Sequence, residues 1–301
     1  MTKSVVHSRL DQLDERFIRR RIRLVQRIDL TTTRIESLKA KLNDLLRAYV
    51  NFPLKIGPGH SVFRVRKHRE DERDIDLTNV RGIYPNAKYL TRFGRANRPG
   101  QPIYYFAADE GIALNEVKPS TDDVVTILEC KPMLNASPVL IQIGIHQMAD
   151  QHRARIGGDF PELAVRISEL FENDASAIRK HKMISEFITE EFLRIVDDEE
   201  DHVYKLTIAI AELLLSFGSD FDPIVEPVDG LTYPSLASEQ MNANMAFLPD
   251  AFHRIYRPFA AKRLTIEGPI TKARDGGEIH GFTYDDERLS KAIADNGDIT
   301  W

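Results

Sequence analysis

From Leu24 to Tyr49 the apolar residues recur in steps of four and three: Leu24, Ile28, Ile35, Leu38, Leu42, Leu45 and Tyr49, with Thr31 the one polar residue in the series. That stripe predicts one amphipathic helix, or two helices broken near Thr31-Thr32-Thr33. No Gly or Pro precedes Pro53, and the cluster Pro53, Gly57, Pro58 and Gly59 then reads as a linker. Strand-like runs follow at Val62–Val65, Ile103–Phe106, Val124–Leu128 and Val139–Ile145. Residues 160–217 read as helical, with Ile184, Ile188, Phe192 and Ile195 on one stripe and Val203–Leu215 as a second apolar helix. Pro223, Pro227 and Gly230 close that block, and short strands such as Leu264–Ile266 with a turn at Asp275-Gly276-Gly277 complete the chain. No internal repeat is present. Strands, then helices, then strands predict an α+β fold. The division expected is an N-terminal amphipathic helical segment at 1–52 and a body at 60–301 carrying a helical block at about 150–220.

Composition narrows the function classes. With 301 residues, 42% hydrophobic and 29% charged, the chain has enough apolar mass for a core. A net charge of −5 excludes a uniformly basic nucleic-acid coat. The charge is unevenly spread: residues 1–50 hold a net +6, which leaves −11 on the remainder. Cys130 is the sole cysteine, so there is no internal disulfide and no cysteine-based zinc site, and a reducing compartment is expected. Met1-Thr2-Lys3-Ser4 does not open a signal peptide, and no run approaches the roughly 18 apolar residues of a membrane span. A cytoplasmic chain with no membrane partner is the expectation.

Several motifs are weak. Arg16, Arg19, Arg20, Arg21, Arg23 and Arg27 form a basic cluster, but a charge run on an amphipathic helix reads first as its solvated face, and no aromatic interleaving marks a nucleic-acid surface. Nucleic acid is therefore not an expected partner. Gly57-Pro58-Gly59 precedes a strand and lacks a third glycine, so it is not a dinucleotide loop. The run Asp197-Asp198-Glu199-Glu200-Asp201-His202 lacks the spacing of a calcium loop and reads as a helix junction capping the helix that follows. No histidine pair has helical ligand spacing, and no metal is expected. Nucleophile-elbow, P-loop and Cys/His signatures are absent.

One stretch stands apart: Gly94-Arg95-Ala96-Asn97-Arg98-Pro99-Gly100-Gln101-Pro102-Ile103-Tyr104-Tyr105-Phe106, then Ala107 to Glu116. It places an arginine in a turn, an aromatic-rich strand and a short helix ending at a glutamate, the places where functional groups are usually presented. Each residue alone also has a bland reading: a surface arginine carrying little packing, a core tyrosine, an exposed helical glutamate. A second patch, Gly230-Leu231-Thr232-Tyr233-Pro234-Ser235, precedes Asn242, Asn244 and the run Met245–Leu248.

The order Gly-Arg-x-Asn-x-x-Gly-x-Pro-x-x-Tyr, then Ala-x-x-Glu, then Tyr-Pro-Ser with Asn and Phe-Leu-Pro, resembles the RES family across roughly residues 60–270. Members of that family resemble ADP-ribosyltransferase toxins in fold and destroy NAD by phosphorolysis or hydrolysis, and many are the toxin of a toxin–antitoxin pair. The resemblance implies a bent, mainly antiparallel sheet with a helical insertion and an N-terminal helical extension. It assigns catalysis to Arg95, Tyr105, Glu116 and Ser235, and substrate binding to Arg64, Asn97, Tyr233 and Asn244. NAD is then the substrate, with no bound cofactor. Phosphate and water both stand as acceptor, and an antitoxin protein is a candidate partner. Glu116 suits the ribose cation, Arg95 a phosphate, Tyr105 the nicotinamide ring and Ser235 a phosphate or ribose oxygen. Two alternatives stay open: an ADP-ribosyltransferase acting on a macromolecule, and a catalytically silent binding module. Self-association through the N-terminal helix is expected, because its apolar stripe must cover something.

Overall fold

A computed structural model describes residues 9–50, 53–146, 169, 171–217, 227–235, 243–274 and 277–301. Its main elements in chain order are helices α1 (Glu15–Gln26) and α2 (Ile35–Arg47), strands β1 (Val62–Lys67) and β2 (Tyr104–Ala107), helix α3 (Glu110–Val117), and strands β3 (Val124–Pro132) and β4 (Val139–Gln142). There follow helices α4 (Ala175–Leu193) and α5 (Tyr204–Phe217), strands β5 (Gly230–Pro234) and β6 (Ala243–Phe247), helix α6 (Pro249–Ile255), and strands β7 (Tyr256–Arg274) and β8 (Gly277–Leu289). The protein is mixed α+β, with a mainly antiparallel sheet. No described helix is long and apolar enough to cross a membrane.

Two compact units are formed. The first gathers residues 1–54, 91–101 and 139–234, and the second 55–90, 102–138 and 235–301. The N-terminal helices thus share a unit with the helical block, a grouping that cuts across the expected parts at 1–52 and 60–301.

In the first unit the apolar stripe is carried by two helices, the second of the two readings left open, with the break around Thr31-Thr32-Thr33. Asp29 collects the Thr31 amide and both Thr31 and Thr32 hydroxyls, a side-chain turn that stops α1 and restarts the phase in α2. In α1 the buried residues are not those of the sequence stripe. Leu24, first in the sequence stripe, is 52% exposed, while Ile18 and Val25 are buried instead. Beyond the break the stripe holds: Ile35, Leu38, Leu42, Leu45 and Tyr49 are all buried. Helix α2 packs on α5, α1 on α4, and α4 and α5 on each other and on β5. Ile184, Ile188 and Phe192 are buried as expected, but Ile195 lies past the end of α4 and is exposed. Strands β4 and β5 pair in parallel. Within the acidic run, Asp201 accepts the Phe93 amide at 3.0 Å, serving the neighbouring 91–101 segment rather than capping α5.

The second unit is built on the antiparallel order β6-β2-β1-β3-β7-β8. Alternation along β2 divides its faces. Tyr104 and Phe106 join Phe247, Phe252 and Tyr256 in an aromatic layer on the α6 side, with Phe106 and Phe252 stacked 4.4 Å apart. Ala107 belongs to the other side, where Ile112, Ala113 and Leu114 of α3 meet Val65, Val125, Ile127, Leu264 and Ile266. The residues Pro53–Lys55, read as linker, form a short exposed strand. The turn at Asp275-Gly276 lies outside the described residues, as does Asn242 and much of the block at 150–220.

Candidate active site

Asp109 starts α3 by accepting the amides of Gly111 and Ile112. Burial of Ile112, Ala113 and Leu114 against the sheet then fixes the helix's rotation. At about 100° per residue, Glu116 falls between Ile112 and Ala113 in azimuth, one turn further on. It therefore emerges at the edge of the packed side while remaining exposed.

Two buried donors converge on it. Ser235 Oγ, fully buried, donates to Glu116 Oε1 at 2.5 Å, and Asn244 Nδ2, 6% exposed, donates to the same oxygen at 2.7 Å. Asn244 is set by register, because β6 pairs it with Ala107, whose side chain faces α3. Directly opposed residues of an antiparallel pair share a face, so the amide is presented to the helix that carries Glu116. Glu116 Oε2 has no hydrogen-bond partner among the described residues. The result is an exposed carboxylate with one oxygen locked and the other open.

The remaining assignments divide between the two units. Tyr105 is half-buried on β2, on the Ala107 side by alternation, and Ala246 is its partner on β6. Arg64 points to the opposite side of the sheet. Its Nε donates to the Ile83 carbonyl at 2.9 Å and Nη1 to the Tyr105 carbonyl at 3.0 Å, and burial pulls its pKa down to about 10. It ties strand β2 in place from behind rather than lining the glutamate node.

Arg95, Asn97 and Tyr233 belong to the first unit. Arg95 Nη1 donates to the carbonyls of Phe192 at 2.5 Å and Arg194 at 3.0 Å, and the guanidinium lies 5.4 Å from the Tyr204 ring centroid. An arginine there satisfies the open carbonyls at the end of α4 and complements its dipole. The reading of Arg95 as a turn residue with little packing is corrected accordingly. Its Nε and Nη2 have no partner among the described residues. Asn97 is buried and shapes the turn, its carbonyl accepting the Gly94 amide and its side chain donating to the Arg98 carbonyl. Tyr233 is buried with its ring 5.4 Å from that of Phe192.

One surface feature escaped sequence reasoning. Tyr84, Tyr104 and His253 line an open cavity of about 600 Å³ in the second unit, together with Arg81, Arg257 and Asn296. These residues are scattered over more than 200 positions with no regular spacing, so no sequence signal joins them. Cys130 is buried and its thiol pKa is pushed up to about 12 by that burial, which keeps it protonated and unreactive. No group of three or more His, Cys, Asp or Glu among the described residues is placed to hold a metal ion.

Comparison of the chain with family models, with curated proteins and with solved structures finds no match.

Proposed function

We propose that this protein consumes NAD by breaking the N-glycosidic bond to nicotinamide, on a fold of the ADP-ribosyltransferase-like kind. One observation carries the reading: Glu116, Ser235 and Asn244, separated by up to 128 residues, meet on a single exposed carboxylate. These are the glutamate, serine and asparagine that the RES-like motifs single out, in the same order.

The chemistry fits the geometry. As the ribose carbon–nitrogen bond breaks, nicotinamide leaves with the bonding electron pair and positive charge develops on the ribose. A fixed carboxylate beside that carbon stabilises the charge. Two donors on Oε1 hold the group in one orientation, and Oε2 is left to accept a ribose hydroxyl. An acceptor oxygen then bonds to the ribose carbon. With water as acceptor a proton is released, and with phosphate the product is a sugar phosphate. Tyr105, on the same side of the sheet as Asn244, supplies a flat face for the nicotinamide ring. Draining cellular NAD is the work of a toxin, and an antitoxin protein is the partner this reading calls for.

The test is the purified chain incubated with NAD, with and without inorganic phosphate, and the products identified by mass spectrometry. Free nicotinamide with ADP-ribose or its 1″-phosphate supports the reading and names the acceptor. Intact NAD in both arms, from a protein folded by circular dichroism, overturns it. Nicotinamide release only when a macromolecule is added would move the activity to ADP-ribosyl transfer.

A further inference from the structure

Helix α1 carries a ridge of arginine whose geometry the sequence did not disclose. Arg16, Arg19, Arg20, Arg23 and Arg27 line one surface groove together with Leu24. At about 100° per residue these five arginines fall within an arc of roughly 100°, and from Arg16 to Arg27 they run about 16 Å along the axis. All five are exposed. The opposite side of the helix is occupied within the first unit, where Ile18 and Val25 are buried.

Acidic neighbours do not neutralise the ridge. Glu15 lies 3.8 Å from Arg19 and also pairs with Arg179, while Asp44 pairs with Arg21, which points off the ridge. Asp14 accepts the Phe17 amide, and Asp29 is engaged by Thr31 and Thr32. Arg16, Arg20, Arg23 and Arg27 have no acidic partner among the described residues. Like charges one turn apart repel, so a solvated face of an ordinary helix interleaves acids among its bases. This ridge does not, although the chain as a whole is acidic.

We propose that the α1 ridge binds the phosphodiester backbone of nucleic acid. Five guanidinium groups and no lysine suit bidentate phosphate recognition. Their linear array matches a polymer carrying a phosphate charge about every 1.7 Å of duplex axis. No aromatic side chain is needed for such binding, since backbone contacts read charge and not sequence. A membrane surface fits less well, because Ile18 and Val25 of α1 are already packed inside its unit, which leaves only Phe17 and Leu24 as large apolar side chains exposed on the helix. The inference is independent of the Glu116 site.

The experiment uses the full chain and a fluorescently labelled mixed-sequence duplex DNA, read by anisotropy between 50 and 200 mM salt. About four phosphate contacts predict a log–log salt slope near −4 and roughly a 10²-fold loss of affinity across that range. The variant Arg16→Gln/Arg20→Gln/Arg23→Gln/Arg27→Gln should lose most of the binding and most of the slope, and Arg21→Gln should retain both. If the fourfold variant fails to fold, Arg20→Gln/Arg23→Gln alone should shift the slope by about two. The proposal is overturned if the ridge variants bind like the parent. It is equally overturned if polyglutamate, or vesicles of acidic phospholipid, bind the parent as tightly as the duplex does.

Discussion

Replacing Glu116 by glutamine separates its chemistry from its place in the fold. The carboxylate accepts from two buried donors, Ser235 at 2.5 Å and Asn244 at 2.7 Å. A glutamine in the same rotamer keeps an oxygen at Oε1, so both donors stay satisfied and only the charge is lost. The expected stability change is small, because hydrogen bonds to a charged acceptor exceed neutral ones by only about 1 kcal/mol. The expected kinetic change is large, since losing one preorganised electrostatic group commonly costs about 10²–10³ in kcat. Glu116→Ala behaves differently. It strands the side-chain amide of Asn244, which costs about 1–3 kcal/mol when buried without a partner. The alanine variant should therefore lose stability as well as turnover. The assay pairs NAD consumption, followed by nicotinamide release, with urea unfolding of the same preparations. A Gln variant that turns over NAD at the parent rate refutes the catalytic role of Glu116. An alanine variant as stable as the parent refutes the argument that the buried Asn244 amide depends on it.

Arg95→Lys removes a guanidinium that spans two carbonyls at the end of α4 and lies against Tyr204, so it should cost about 1–3 kcal/mol, read as a lowered urea midpoint; an unchanged midpoint would show that the cap carries no weight. His181 is fully buried, stacked on Tyr49 at 4.8 Å and bonded to the Val50 carbonyl, and burial first, then His146, lowers its pKa to about 3. The unfolded chain takes up that proton near pH 6.5 and the folded chain does not, so its contribution is present above pH 6.5 and falls as pH drops towards 3, at up to about 1.4 kcal/mol per unit; His181→Phe should flatten that part of the stability–pH curve, and an unaltered curve would contradict the assignment. Removing residues 1–50 should yield an aggregating or unfolded chain, because Leu38, Leu42, Leu45 and Leu46 are fully buried in a helix packed on α5; a monomeric, cooperatively melting truncation would show that this packing is dispensable.

The apolar periodicity of the chain was enough to locate most elements. The stripe from Ile35 to Tyr49 and the β-branched runs at Val62, Val124 and Val139 became helix and strands, because burial selects those periods directly. Phase was less secure. Packing of α1 on α4 leaves Leu24 at the surface and puts Val25 in the core, a tertiary choice that apolar spacing does not encode. Helix α4 ends at Leu193, so Ile195 lies in solvent although it continues the stripe of Ile184, Ile188 and Phe192. Motif order in the sequence singled out Glu116, Ser235 and Asn244, but their meeting on one oxygen depends on the β2–β6 register and on the rotation of α3. Residue type alone could not tell which arginine binds outward and which binds the chain itself. Arg95 is engaged with the end of α4 and Arg64 with the back of β2, while Arg16, Arg20, Arg23 and Arg27 have no acidic partner among the described residues, because only the folded chain decides which carbonyls and carboxylates come within reach.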